Sequence, residues 1–277
     1  MTADAVIAYP FAAGRILTRV LEAGGGDDAV VFLHGLGARA DRWRATLAAF
    51  AAQGYRARAI DLPGHGFAAK DAGIPLDVPG FAGFLGDFLD AMGIARPILV
   101  GTSLGGHVAG YFAAANPARP RALVLVGAVG LVPLGPEAGD KIRRNVRETA
   151  RDAIEKKLEF VLADPSLITP ALIEEEHRIN TSPGAAEVFR RLGDYIAEEI
   201  DRDNIADRLK PLVGTLPLLL VWGEQDRAVP LAVGEQARRD LGLADLVVIP
   251  RAGHAPYMEQ PALFERHVLR FLARLRH

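Results

Sequence analysis

Ser103, His254 and Asp226 are the residues whose types and positions could together do nucleophilic chemistry. Ser103 is the centre of Gly101-Thr102-Ser103-Leu104-Gly105, where an apolar run from Pro97 ends and a small-residue helical pattern begins. That order reads as strand, tight turn and helix with a hydroxyl at the apex. The helix behind the turn aims backbone N–H groups, and the positive end of its dipole, at charge developing near that oxygen. Only three serines occur in the chain, Ser103, Ser166 and Ser182, so a serine at this turn carries weight. A phosphate-cradling loop is the other reading of glycines at such a junction, but neither G-x-x-x-x-G-K-[ST] nor G-x-G-x-x-G is present.

A hydroxyl that attacks a carbonyl needs a base for its proton, and a carboxylate to orient that base. Among seven histidines, His254 alone follows the last strand pattern in a loop beside a glycine. The acid follows either the sixth strand or the seventh. After the sixth stand only Gly127-Ala128-Val129-Gly130, which leaves Asp226 by elimination and Glu224 in reserve. His34, in a His-Gly-Leu-Gly loop, is a ligand or a structural histidine. Asp61 and His65, in Asp-Leu-Pro-Gly-His-Gly, read first as residues that hold their own turn.

These residues must be positioned by strands. Ala29 to Leu33, Tyr55 to Ile60, Pro97 to Val100, Arg121 to Val126, Leu216 to Val221 and Leu246 to Ile249 are apolar runs, as expected of strands buried on both faces. Helical patterns separate most of them, which predicts a doubly wound parallel sheet with ligands at the carboxyl ends of the strands. Two short strands precede these, with a hairpin around Ala12 to Gly14. From Asp77, an N-cap, apolar residues recur at helical spacing up to a stop at Gly93. Pro261 opens a terminal helix, with His267 and His277 on its surface or tail.

Between Glu137 and Lys210 the texture changes. Nearly half of the charged residues fall there, spaced as amphipathic helices broken at Asp164-Pro165, Thr169-Pro170 and Ser182-Pro183-Gly184. The expectation is a helical lid. Its charges, including Glu174-Glu175-Glu176, read as solvated faces, and Arg151 and Glu155 read as a supporting helix pair.

Composition closes several routes. The formal charge is −2 and the sequence pI near 6.4, with no basic footprint for nucleic acid or an anionic membrane. Without cysteine there is no disulfide framework, thiolate metal site or thiol nucleophile. The N-terminus lacks the pattern of a secretory signal, so a cytoplasmic location is expected. The uncharged stretch from Pro97 to Ala118 contains prolines and glycines and breaks at the serine turn, which suits a buried strand and helix better than a membrane span.

The order Ser103, Asp226, His254, with HGLG, DLPGHG, GTSLGG, GEQDRAVP and AGHAP, resembles the α/β-hydrolase family with a helical cap. The likeness spans nearly the whole chain. It implies an α/β fold with a mostly parallel eight-stranded sheet, residues 1–130 and 211–277 forming the core and 131–210 the cap. It also implies an oxyanion hole from the N–H groups of Leu36 and Leu104, and no metal or organic cofactor. His34, Gly35 and Tyr257 are the expected substrate contacts.

The implied activity is hydrolysis of a small carboxylic ester or lactone through an acyl-enzyme. The alternative is carbon–carbon cleavage of a ring-fission dienone, and a non-catalytic small-molecule receptor stands behind both. Relatives with dehalogenase or epoxide hydrolase chemistry place Asp where Ser103 stands. The carbon–carbon group commonly has Trp after its histidine, whereas Ala255-Pro256-Tyr257 follow here.

Overall fold

The computed structural model describes residues 5–243 and 246–275, so His277 lies outside the described residues. The chain begins with β1 (Ile7–Ala13) and β2 (Ile16–Ala23), antiparallel neighbours joined through Gly14 at φ +56°. β3 (Ala29–Leu33) follows, then α1 (Arg44–Ala52), β4 (Arg56–Ile60) and α2 (Val78–Ala91). Asp77 caps α2 as expected, accepting the Gly80 N–H at 2.6 Å. β5 (Ile98–Thr102) runs through Ser103 into α3 (Leu104–Ala115), and β6 (Ala122–Val126) comes next.

Five helices then intervene before the sheet resumes: α4 (Pro136–Arg147), α5 (Arg151–Val161), α6 (Pro170–Asn180), α7 (Ala185–Glu198) and the short α8 (Ala206–Leu209). Their breaks fall where proline predicts them. Asp164 caps a 3₁₀ turn, Thr169 caps α6, and Gly184 adopts a left-handed conformation before α7. The chain closes with β7 (Leu218–Gly223), α9 (Leu231–Asp240), β8 (Leu246–Ile249), α10 (Pro256–Glu259) and α11 (Pro261–Ala273). Among the described residues no helix is long and apolar enough to cross a membrane.

The eight strands form one sheet in the order β1-β2-β4-β3-β5-β6-β7-β8. β2 pairs antiparallel with β4, and every pair from β4 through β3 to β8 is parallel. Alternation explains the apolar runs. Val31, Leu33, Leu99, Leu123 and Leu125 enter the core on one face with Phe81, Phe88 and Phe112, while Val30, Phe32, Val100 and Val124 enter the other with Trp43, Phe50 and Phe264. Neither face of the central strands meets solvent, so parallel pairing between helical layers is the arrangement that buries them. Gly105 lets α3 cross directly behind β3: a Cβ there would lie 2.4 Å from the His34 carbonyl oxygen and 2.5 Å from that of Leu33.

Candidate active site

β5 is followed by a residue held against its own preference. Ser103 has φ 53° and ψ −120°, a conformation that a side-chain-bearing residue adopts at a cost of about 1–3 kcal/mol. Its surroundings impose the turn. The Ser103 N–H donates to the Val126 carbonyl at 3.0 Å, and the Ser103 carbonyl accepts the His107 N–H at 3.0 Å and the Val129 N–H at 3.4 Å. The result is a hydroxyl projecting from a sharp strand-to-helix turn. Leu104 is the first residue of α3, so its N–H is among those a helix leaves without an intrahelical acceptor.

The loop after β7 carries Asp226, and the loop after β8 carries His254. Asp226 is 6% exposed. Its Oδ1 accepts the N–H groups of Ala228 at 2.9 Å and Val229 at 2.8 Å, which aims Oδ2 at His254 Nδ1, 2.7 Å away. A carboxylate oxygen can only accept, so Nδ1 carries the proton and Nε2 is left as the basic nitrogen. Gly127, at the end of β6, makes room for this pair. A Cβ there would stand 3.0 Å from Asp226 Oδ2 and 3.1 Å from His254 Nδ1. Glu224, the reserve acid, is exposed and accepts the Arg251 N–H at 3.2 Å instead.

Ser103 and His254 line one cavity of about 80 Å³. Gly35, Leu36, Arg42, Tyr257 and Met258 share its wall, and Leu158, Val161 and Leu162 from the inserted helices close it. A Cβ on Gly35 would lie 3.0 Å from that of Ser103, so the His-Gly loop passes close beside the hydroxyl. Tyr257 is held by stacking on Trp43, with ring centroids 3.8 Å apart, and burial pushes its phenol up to about 12. A larger open concavity of about 920 Å³ lies at the amino ends of the strands, among Arg96, Pro117, Arg121 and Thr215. It holds none of Ser103, Asp226 or His254.

His34 is placed differently from the expectation of a substrate contact. Its side chain is fully buried, Nδ1 donates to the Gly35 carbonyl at 2.8 Å, and Nε2 accepts the Leu62 N–H at 2.9 Å. Both ring nitrogens are therefore spent on tying the loop after β3 to the loop after β4. Burial pushes its pKa down to about 4, with its carbonyl bond to Gly35 opposing the shift. Asp61 is a loop-holder, as its turn suggested. Its carboxylate takes the Ala40 and Phe67 N–H groups at 2.7 and 2.9 Å and pairs with Arg19. His65 is likewise buried, with Nδ1 3.0 Å from the Pro63 carbonyl oxygen.

Sequence reasoning missed the charges that join the insertion to the core. Glu176 is not on a solvated face: it is 4% exposed, and its Oε1 accepts from Arg39 at 2.6 Å and Arg42 at 2.7 Å. Glu175 reaches Arg39 as well, at 2.5 Å. Arg151 pairs across helices with Glu174 at 2.7 Å, where the expected partner was Glu155. No local signal marks these residues, because their partners lie on a different part of the chain.

A doubly wound sheet with a strained serine after its fifth strand, and a carboxylate–imidazole pair after its last two, defines a class of enzyme. The chain belongs to the alpha/beta hydrolase family, whose model matches residues 30–267. It is 32% identical over 264 residues to a 2-hydroxy-6-oxononadienedioate/2-hydroxy-6-oxononatrienedioate hydrolase of Burkholderia vietnamiensis, covering 91% of this chain and 90% of that protein. It is also 32% identical over 262 residues to the dihydrolipoyllysine-residue acetyltransferase component of the acetoin cleaving system of Pseudomonas putida, covering 94% of this chain and 67% of that one. Among solved structures, a meta-cleavage product hydrolase from Pseudomonas fluorescens superposes with a TM-score of 0.81 at 25% identity, covering 96% of this chain and 97% of that one.

Proposed function

We propose that the chain is a serine hydrolase that cleaves a small carboxylic ester or lactone through an acyl-enzyme. The supporting observation is the 2.7 Å contact between His254 Nδ1 and Asp226 Oδ2, with His254 lining one cavity with Ser103. In this reading the Ser103 hydroxyl attacks the carbonyl carbon, and His254 Nε2 takes the proton. Asp226 then balances the imidazolium. The tetrahedral oxyanion sits against the N–H groups of Leu36 and Leu104. His254 protonates the leaving oxygen, then draws a proton from the water that releases the acyl group.

The inserted helices, residues 131–210, act as a lid whose α5 sets acyl size. Leu158 of α5 stands in the cavity wall with Ser103 and His254.

A second reading, carbon–carbon hydrolysis of a ring-fission dienone, rests on the name carried by relatives 32% and 30% identical to this chain. Steady-state rates with p-nitrophenyl acetate and with a dienone, for the wild type and Ser103→Ala, separate the two. Loss of fluorophosphonate labelling in Ser103→Ala is expected. Labelling that persists, or wild-type turnover in that variant, would overturn the assignment of Ser103.

A further inference from the structure

A second buried carboxylate stands behind the histidine. Glu259, the last residue of α10, is 8% exposed and pairs with no cation among the described residues. Each of its oxygens accepts from two backbone N–H groups. Oε1 takes Gly253 at 2.9 Å and Ala255 at 3.3 Å, the residues on either side of His254. Oε2 takes Ala163 at 2.6 Å and Asp164 at 3.1 Å, just past the end of α5. His254 is tied to the same stretch directly, its own N–H donating to the Val161 carbonyl at 2.8 Å. Arg227, next to Asp226, donates to the carbonyls of Glu159 at 2.7 Å and Leu162 at 3.0 Å.

We infer that Glu259 is a positioning residue for His254, fixing the backbone on both sides of the imidazole against residues 159–164 of the insertion. The inference rests on the triad reading above. Hydrogen bonds to an ionised acceptor are stronger than neutral ones, and four donors converging on one carboxylate leave the loop little freedom. His254 has no regular element of its own: a left-handed residue, Arg251 at φ 54°, precedes it and the four-residue α10 follows it. Its ring is thereby oriented from two directions, by Asp226 at Nδ1 and by Glu259 through the main chain. The end of α5 and the residues just past it are consequently part of the base's support.

The test is Glu259→Gln, in the wild-type chain and in a His254→Ala background, with p-nitrophenyl acetate. Glutamine keeps the volume but turns an amide nitrogen toward one of the two N–H pairs. The expected result in the wild-type chain is a fall in kcat of at least about tenfold with KM within about threefold. In the His254→Ala background the residual rate changes by less than about twofold, because the group being positioned is gone. Equal fractional losses in both backgrounds mean a purely structural role and overturn the inference, as does an unchanged kcat. If Glu259→Gln does not fold, Glu259→Asp, which keeps both oxygens, carries the same comparison. Wild-type turnover in His254→Ala alone would defeat the triad reading, a failure distinct from that of Glu259.

Discussion

Arg39 and Glu176 stand 137 positions apart in the chain and meet in a buried ion pair at 2.6 Å. Arg39 lies just past the His-Gly-Leu-Gly loop of the core, and Glu176 lies on α6 of the insertion. Arg42 takes the same carboxylate oxygen while its side chain lines the cavity of Ser103. The way the insertion seats on the core is therefore fixed by charge right beside the candidate site.

Removing Glu176 takes away the carboxylate of Arg42 and leaves Arg39 with Glu175 and Asp41 alone. Breaking a buried pair from one side commonly costs about 3–5 kcal/mol. Glu176→Ala is expected to lower the thermal midpoint and to expose the α5–α6 region to limited proteolysis first. A variant with an unchanged midpoint and digestion pattern would show that the cluster does not hold the insertion down.

Gly127→Ala tests the space around the dyad. The added methyl sits 3.0 Å from Asp226 Oδ2 and 3.1 Å from His254 Nδ1, and the residue's φ of +48° disfavours any side chain. Small displacements of reacting groups are costly, and a loss of roughly tenfold to a hundredfold in kcat is expected. Circular dichroism should show the fold retained. A variant as active as the wild type would mean that the pair tolerates separation.

Leu158 closes the cavity from α5. Leu158→Ala removes its isobutyl group from the wall, so the ratio of kcat/KM for p-nitrophenyl hexanoate over acetate is expected to rise by about tenfold, the scale on which a few methylenes are discriminated. An unchanged ratio would place acyl recognition elsewhere.

His34 makes stability depend on pH. Its folded pKa, pushed down to about 4 by burial, lies below the ordinary value of 6.5. Between those values the unfolded chain binds a proton that the folded chain refuses. The stabilisation from the neutral ring is thus complete above 6.5 and drains away as pH falls toward about 4. A shift of this size corresponds to a loss on the order of 3 kcal/mol. Urea midpoints measured across that window should fall for the wild type and fall less steeply for His34→Gln, although the variant starts lower. Parallel slopes would remove His34 as the cause.

Several features carried by neighbours along the chain were legible in the residues alone, although the local pairing of Arg151 with Glu155 was not among them. The strand–turn–helix at Ser103, the cap at Asp77, the proline breaks of the insertion and the succession of strands and helices along the chain all follow from periodicity and turn chemistry within a few residues. Asp226 was legible by elimination, since the loop after β6 offers no acid.

Whether a polar residue faces a cavity, water or another part of the protein depended on how the chain folds back on itself. His34 and Gly35 are adjacent, yet one staples two loops and the other lines the cavity. Glu175 and Glu176 are adjacent, yet one is half-exposed and the other is enclosed by two arginines from far upstream. The physical reason is that the free energy of a charge or an imidazole is set by its dielectric surroundings and its partners. Those are supplied by residues distant along the chain, 28 positions for His34 and Leu62 and 137 for Glu176 and Arg39, which no local pattern can announce.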